Sequence, residues 1–180
     1  MCWIPLVALF SGMRSGEICQ LRKSDVQHKN GVWMFRVSAE GEGQHIKCEA
    51  AERSVTVHSE LIACGFHDYW KALPAGQLWP ALKPGGLDRK LNHYFTKRFT
   101  DDRRSCGATV ERKSFHSFRK NAAQALKDAR ATPAEIAELI GHEQGFTLSV
   151  YAPMELPATV LQGLVERICY EGLALDHLHV

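Results

Sequence analysis

Six polar side chains spread along the chain have the types that phosphate chemistry requires. They are Arg14, Lys47, His116, Arg119, His142 and Tyr151. Arginine presents a planar, permanently charged fork to phosphate oxygens, and a tyrosine hydroxyl can serve as a nucleophile. The set therefore predicts a site that holds a phosphate group and attacks its phosphorus.

The sequence around His116 and Arg119 predicts how these two side chains are presented. They are three residues apart in a predicted helix, so they project from the same face. Phe115 and Phe118 are expected to face the core. Taken alone, the pair would also fit an ordinary surface position, so its chemical meaning depends on the rest of the set.

His142 is predicted to lie just beyond the end of a helix. The helix would begin with the capping box Thr132-Pro133-Ala134-Glu135, which has proline at the first helical position. Gly141 is the expected stop. We therefore expect the two caps of this helix to set the direction of the His142 imidazole.

Arg14 lies between two glycines, Gly12 and Gly16. Glycines at these positions indicate a close approach to a ligand or to a neighbouring segment. A short helix is predicted directly after Arg14, with Ser15 as its N-cap and Glu17 in its first turn.

The remaining pattern predicts a mainly α-helical domain with a small antiparallel sheet in its N-terminal third, an α+β fold. Alternating side chains indicate strands at 32–37 and 53–58, with a possible strand at 45–47. A first helix is expected to end near Phe10. Further helices are expected between 59 and 101, with proline interruptions, and over 158–170.

Composition and length fit one globular domain over residues 1–180, with 45% hydrophobic and 23% charged residues. The six cysteines form no CxxC pair, which is typical of reduced thiols in a cytoplasmic protein. The apolar run at the start is too short to cross a bilayer and has no basic leader. We therefore expect a cytoplasmic protein without a membrane partner.

Positive charge is concentrated in one part of the chain. Residues 83–120 contain eleven basic and four acidic residues, a net charge of +7, whereas the whole chain carries only +2. Such a segment fits contact with a phosphate backbone. A solvated charged surface is the alternative that the sequence leaves open.

The order and spacing of these motifs resemble the tyrosine recombinase (phage integrase) family over nearly the whole chain. The segment from Ser11 to Leu21 is similar to the family's first arginine box, and Phe115-His116-Ser117-Phe118-Arg119 is similar to its HxxR box. Leu139-Ile140-Gly141-His142, with Tyr151 nine residues later, resembles the closing histidine and nucleophile. Lys47, followed by Arg53, is similar to the family's hairpin lysine segment.

The resemblance implies a role for each residue of the set. Arg14 and Arg119 would bind the non-bridging oxygens of the scissile phosphate, and His116 and His142 would hydrogen-bond to the same phosphate. Tyr151 would attack phosphorus and form a covalent 3′-phosphotyrosine.

The resemblance also implies a leaving-group acid and a supporting carboxylate. Lys47 would protonate the departing 5′ oxygen, and Glu17 would support the arginine and histidine side chains. Lys29 is the alternative acid. Lys113 and Lys120 are expected to contact DNA.

Other tyrosines compete with Tyr151 for the role of nucleophile. Tyr69, Tyr94 and Tyr170 are each expected to serve core packing instead, because Tyr151 alone has the family's spacing from the histidine.

The implied activity is site-specific cutting and rejoining of double-stranded DNA, without a cofactor. The sequence contains no P-loop and no carboxylate cluster suited to two magnesium ions. The chain would be the catalytic domain alone, without the N-terminal DNA-binding domain of the family, and would assemble as a tetramer on DNA. A non-catalytic DNA-binding relic and a type IB topoisomerase are the alternatives.

The predicted last helix has two possible packing partners. Its apolar side would carry Val160, Leu161, Leu164, Val165 and Ile168. This side either packs on its own domain or docks on a neighbouring protomer.

Overall fold

The computed structural model describes residues 3–46, 48, 51–110, 113–141 and 156–180. Within these ranges the helices are α1 (Trp3–Ser11), α2 (Ser15–Cys19), α3 (Ser59–Ala63), α4 (Phe66–Ala72), α5 (Asn92–Ser105), α6 (His116–Asp128), α7 (Pro133–Ile140) and α8 (Ala158–Val165). The strands are β1 (Val26–Lys29), β2 (Val32–Val37) and β3 (Arg53–Thr56). The prediction of a mainly helical domain with a small antiparallel sheet is confirmed.

The sheet has the order β1-β2-β3, and both strand pairs are antiparallel. Phe35, in the central strand, pairs with Val26 of β1 on one side and with Val55 of β3 on the other. Strand β1 was not predicted from the sequence. The signal for it was the Asn30-Gly31 pair, whose φ angles of 52° and 79° are those of a tight hairpin turn.

The possible strand at 45–47 is wrong for its described residues. His45 and Ile46 belong to no strand, and Lys47 lies outside the described residues. The chain between β2 and β3 instead contains a turn in which Gln44 donates its backbone N–H to the carbonyl of Gly41. The side chain of Gln44 also donates a hydrogen bond of 2.7 Å to the Asp25 carboxylate. Contacts with distant residues, rather than the local alternation of side chains, therefore determine the conformation of this segment.

Helix α1 packs against α6, so the turn after α1 that carries Arg14 lies close to the helix that carries His116 and Arg119. The turn after α1 explains the need for Gly12, whose φ is +64°. A Cβ at Gly12 would lie 3.1 Å from Cγ2 of Ile140 and 3.2 Å from Cβ of Ala122. The expected close approach is therefore to neighbouring helices. Gly16 shows no such crowding, since the nearest atom to its Cβ position is 3.9 Å away, in Asn92.

Helix α7 has the caps that its sequence predicts. The Thr132 Oγ1 accepts from the backbone N–H of Glu135 at 3.3 Å, and the Glu135 carboxylate accepts from the backbone N–H of Thr132 at 2.7 Å. Gly141 ends the helix in the left-handed region, with φ of +67°. Both predicted ends of this helix are confirmed.

The last helix is shorter than predicted, ending at Val165 rather than near residue 170. The side chains of Leu161, Leu164, Val165 and Ile168 are buried within the chain itself. Val160 was expected on the same face but is 42% exposed, so that assignment is wrong. Helix α8 packs on β3, β2 and α7 of its own domain.

None of the helices in the described part of the chain has the length and apolar character needed to cross a membrane.

Candidate active site

Arg14 occupies the turn between α1 and α2. Its Nη1 lies 2.6 Å from Oε1 of Glu17, and its Nη2 donates to the carbonyl oxygen of Gly141 at 3.1 Å. The backbone N–H of Arg14 donates to Oε2 of Glu17 at 2.9 Å. Glu17 thus fixes both the backbone and the side chain of Arg14, while about a quarter of the Arg14 side chain (24%) stays exposed.

The start of α2 differs by one residue from the prediction. Arg14, not Ser15, is the N-cap, and Ser15 is the first helical residue. The Ser15 hydroxyl accepts a hydrogen bond from Asn92 at 3.1 Å. The Glu17 carboxylate accepts from the backbone N–H of the N-cap residue, Arg14, at the start of the helix.

Arg119 is buried, with only 3% of its surface exposed. It lies on the inward face of α6 with Ala122 and Leu126. Its Nη1 donates to the carbonyl of Gly12 at 3.0 Å and also to that of Ile140, and its Nη2 donates to the carbonyl of Gly141 at 3.4 Å. The alternative of an ordinary surface pair is therefore wrong for Arg119.

Burial and neighbouring charge both act on the Arg119 guanidinium. Burial first, then the positive charges of Arg14 and Arg53, lower its pKa to about 10, against an opposing effect of Glu17. The group therefore keeps its positive charge at neutral pH. A charged fork held in place by three backbone carbonyls has a fixed position, and its positive charge can stabilise an anion bound beside it.

His116 is the first residue of α6 and is exposed at its N-terminal end. Partial burial, then the positive charges of Arg119, Lys120 and Arg14, lower its pKa below the ordinary value of 6.5. The imidazole is therefore mainly neutral at pH 7. In that state it can donate one hydrogen bond and accept another.

Glu17 is the buried carboxylate at the centre of the site, with 4% of its surface exposed. Burial acts to raise its pKa, but the charge and hydrogen bond of Arg53 and the hydrogen bonds of Arg14 outweigh this, so the pKa is lowered from 4.5. Glu17 is therefore ionised at neutral pH. It accepts from Arg14 through Oε1 and from Arg53 through Oε2, the second at 3.1 Å.

Arg53 is a part of the site for which the sequence predicted no role. It is buried at the start of β3, and its side chain is 3% exposed. The signal was present in the strand alternation, because Arg53 shares its face with Val55 and Val57, both of which are buried. A charged residue in register with core valines predicts a buried and paired charge.

A cavity of about 620 Å³ opens beside these residues. Arg14, Glu17 and His116 line one part of it, and Arg89 and Lys90 line another. The lining also includes the acids Glu17 and Asp88, so three cationic groups face two acidic ones, and Arg14 and His116 both open onto the cavity.

Three predicted site residues, Lys47, His142 and Tyr151, lie outside the described residues. Residues next to Lys47 and His142 in the chain lie at the site. Ile46, which precedes Lys47, lines the cavity. Gly141, which shares a peptide bond with His142, accepts hydrogen bonds from both Arg14 and Arg119.

The alternative acid Lys29 and the competing tyrosines Tyr69 and Tyr170 do not line the cavity. Lys29 is exposed in the β1–β2 hairpin and does not line the cavity. The hydroxyl of Tyr69 donates to the carbonyl of Leu78, and that of Tyr170 donates to Leu9, both at 2.7 Å. Burial raises the pKa of Tyr170, which makes it a poor nucleophile.

Tyr94 does not serve core packing as predicted, because 56% of its surface is exposed. It lies instead over Gly85, where an added Cβ would come within 2.4 Å of its ring.

Lys113 and Lys120, the predicted DNA contacts, are both exposed. Among the described residues there is no group of three or more His, Cys, Asp or Glu side chains that could hold a metal ion.

The helices, the three-stranded sheet and the arginine-rich site together define a tyrosine recombinase catalytic domain. Residues 4–155 match the model of the phage integrase family, and the chain belongs to that family.

A solved structure gives the same fold. It is described as the XerH site-specific recombinase bound to its difH substrate in a pre-cleavage complex, and it matches with a TM-score of 0.56 and 20% sequence identity. The match covers 82% of this chain but 41% of the XerH chain, so this chain spans less than half the length of that protein. No curated protein sequence matches this chain.

Proposed function

We propose that this chain is the catalytic domain of a site-specific DNA recombinase that cleaves and rejoins strands through a covalent 3′-phosphotyrosine. The observation that carries the proposal is the convergence of Arg14 and Arg119 on the carbonyl oxygen of Gly141, next to a cavity lined by His116. Two guanidinium groups that share one acceptor are held close together, and their combined positive charge beside the cavity is suited to a single phosphate.

In the proposed reaction, the two arginines hold the scissile phosphate while the bonds at phosphorus change. The hydroxyl oxygen of Tyr151 attacks phosphorus and its proton passes to water, the bond from phosphorus to the 5′ oxygen breaks, and Lys47 supplies the proton that the departing oxygen takes up. Rejoining reverses these steps, with a 5′ hydroxyl as the nucleophile. The phosphodiester bond energy is kept in the covalent link, so no ATP is required.

The arginines stabilise the transition state electrostatically. Negative charge grows on the equatorial oxygens as phosphorus becomes five-coordinate, and fixed cationic donors stabilise that charge without reorganising. Arg119 is held by backbone carbonyls, and Arg14 is held by Glu17. His116, neutral because of its lowered pKa, donates a hydrogen bond to the same phosphate, as does His142.

The cationic groups take the part that a metal ion plays in other phosphoryl-transfer enzymes. We therefore expect cleavage in the presence of EDTA at the same rate as in its absence. Loss of cleavage in EDTA with recovery in added Mg²⁺ would contradict this part of the proposal.

The partner is double-stranded DNA, with the exposed Lys113 and Lys120 contacting its backbone and four protomers assembling on it in the cytoplasm. Residues 1–180 are proposed as the catalytic domain, and a separate DNA-binding domain of the kind found in the family would add DNA affinity. We expect the isolated chain to bind DNA weakly and with little sequence preference.

A suicide-substrate assay tests the proposal without knowledge of the target sequence. A pool of duplexes, randomised around a nick, lets the short 5′ fragment leave after cleavage and traps the covalent intermediate. The wild-type chain is expected to give a protein–DNA band on a denaturing gel that is absent for Tyr151→Phe. Tyr94→Phe is the matched control, because Tyr94 is exposed and outside the proposed machinery.

The same assay separates the alternatives. DNA binding without any covalent band would favour a DNA-binding relic. Relaxation of supercoiled plasmid without exchange of strands between duplexes would favour a type IB topoisomerase. A band that persists in Tyr151→Phe would remove Tyr151 as the nucleophile.

A further inference from the structure

The guanidinium group of Arg53 connects β3 to two distant elements, α2 and α7, and to Ala51, which lies two residues before it. Its Nε donates to the carbonyl of Leu139 at 2.8 Å, its Nη1 donates to the carbonyl of Ala51 at 2.8 Å, and its Nη2 contacts Oε2 of Glu17 at 3.1 Å. All three contacts are buried. Each nitrogen therefore holds a different acceptor.

Each of these three acceptors belongs to a segment that carries a residue of the proposed mechanism. Glu17 holds Arg14. Leu139 lies in the last turn of α7, three residues before His142, and Ala51 lies four residues after Lys47.

The turn at Gly141 also packs directly on Arg53. A Cβ at Gly141 would lie 2.6 Å from Nη1 and 2.9 Å from Cζ of Arg53. Arg53 is thus in contact with the turn whose carbonyl receives Arg14 and Arg119.

We propose that Arg53 is a positioning residue for strand cleavage, which sets Arg14, the segment after Lys47 and the turn before His142 in register with one another. The inference rests on the proposed function. Arg53 does not touch the DNA in this scheme, and it acts through Glu17 and two backbone carbonyls.

Stability alone does not account for a charge at this position. Replacing a buried ion pair by apolar residues of similar volume is often neutral or stabilising, and Val55 and Val57 show that this face of β3 is apolar. An apolar residue could pack here, but it could not hold three acceptors in fixed directions. Lysine could keep the charge, but its single ammonium lacks the planar fork that reaches all three.

The charges around Glu17 give the inference a pH signature. The cations that face Glu17 are Arg14, Arg53 and Arg119, with the titratable His116 nearby. Removal of Arg53 takes away the principal cation that keeps Glu17 ionised, so Glu17 takes up a proton at a higher pH than before.

The test compares Arg53→Lys and Arg53→Met with matched changes at Arg36, which lies opposite Ser54 in the neighbouring strand and has a 39% exposed side chain. The rate of single-turnover cleavage is measured at saturating DNA, together with the dissociation constant and the thermal midpoint. Both Arg53 variants are expected to lose about 100-fold or more in cleavage rate while the dissociation constant stays within about 3-fold. Arg36→Lys and Arg36→Met are expected to keep the wild-type rate.

A merely structural role would lower the rate by the same factor at every pH. The inference instead predicts that Arg53→Met loses cleavage on the acid side at a higher pH than wild type. In the double variant Arg53→Met with Glu17→Gln, the pH–rate profile should lack this added loss of cleavage at acid pH. It should keep any loss at acid pH that comes from protonation of His116. If Arg53→Met does not fold, Arg53→Lys decides the question, and a wild-type rate in Arg53→Lys overturns the inference.

A second readout separates failure of this inference from failure of the proposed function. Sulfate serves as a stand-in for the scissile phosphate, and its binding is followed by the shift of the Gly12 and Gly141 amide resonances, with chloride at equal ionic strength as control. Arg53→Lys is expected to need about tenfold more sulfate for half-saturation than wild type. Equal sulfate dependence overturns the positioning role even if the wild-type chain forms no covalent adduct, and absence of the adduct alone counts against Tyr151 chemistry only.

Discussion

Arg14 and Arg119 donate hydrogen bonds to the same atom, the carbonyl oxygen of Gly141, at 3.1 and 3.4 Å. Two positive charges are thereby held close together. After burial, the charge of Arg14 is a cause of the lowered pKa of Arg119. Glu17 offsets part of this repulsion from within the core. The protein thus maintains a concentration of positive charge that an incoming phosphate would neutralise.

The two arginines should contribute equally to cleavage but differently to folding. We expect Arg14→Ala and Arg119→Ala each to slow single-turnover cleavage by about 3–4 kcal/mol in transition-state free energy, roughly 100- to 1,000-fold. Arg119→Ala should also lower the free energy of unfolding by about 2 kcal/mol or more, because the buried carbonyls of Gly12 and Ile140 lose their donor.

Arg14→Ala should change the free energy of unfolding by less than about 1 kcal/mol, because Glu17 keeps Arg53 as its partner. Urea unfolding and the suicide-substrate assay measure the two effects separately. Near-normal cleavage by either variant would contradict the proposed role of the two arginines.

Glu17 should make folding stability depend on pH in the acid range. Its pKa is lowered in the folded protein from the ordinary 4.5, so its contribution is fully present above that value and is lost as pH falls through the folded pKa. Glu17→Gln is expected to lower the free energy of unfolding by about 3 kcal/mol at pH 7, because two arginines lose their counter-charge. The difference from wild type should shrink as pH falls below about 4.5.

Urea unfolding between pH 7 and pH 3 checks this expectation. Glu40→Gln is the matched control, since Glu40 pairs with Arg36 at the surface and its side chain is 62% exposed. A constant difference between Glu17→Gln and wild type across this range would show that the Glu17 charge does not contribute.

Lys113 and Lys120 should contribute to DNA binding through the phosphate backbone. Each Lys→Ala change is expected to lower the magnitude of the slope of log K against log salt by about 0.9, with no change in sequence preference. Fluorescence anisotropy with a labelled random-sequence duplex at several salt concentrations measures the slope. Lys127→Ala, also exposed on α6 but at its far end, should leave the slope unchanged, and an equal effect of all three would indicate only a general charge effect.

Helix α8 should stabilise its own domain. Leu164 is 1% exposed, so Leu164→Ala is expected to lower the free energy of unfolding by about 3 kcal/mol, independent of protein concentration. Val160→Ala, at a 42% exposed position on the same helix, should change it by less than about 0.5 kcal/mol. A dependence of the Leu164→Ala effect on protein concentration would instead point to docking between protomers.

Local patterns in the sequence were sufficient for the elements whose ends are set by their own residues. The capping box at Thr132 and the stop at Gly141 predicted both ends of α7, because caps depend on hydrogen bonds within three or four residues. The first helix and strand β2 were predicted for the same kind of reason. The Asn30-Gly31 turn was an equally local signal that would have located β1.

Local sequence patterns did not predict the features that depend on contacts between distant residues. Ser15 is a good N-cap by type, yet the Glu17 carboxylate serves the start of α2. The alternation at 45–47 did not produce a strand in the described residues, because contacts such as that of Gln44 with Asp25 outweigh weak local preference. Helix α8 ended at Val165, earlier than its apolar pattern predicted.

The chain by itself determined which chemical groups are present and in what order, and this was enough to indicate the family and a phosphate site. Only the tertiary structure decided that Arg119 is buried, that it shares an acceptor with Arg14, and that Arg53 joins Glu17 to α7 and to the segment before β3. The physical reason is that residue type is local information, whereas the direction and burial of a guanidinium depend on acceptors supplied by segments far away in the chain.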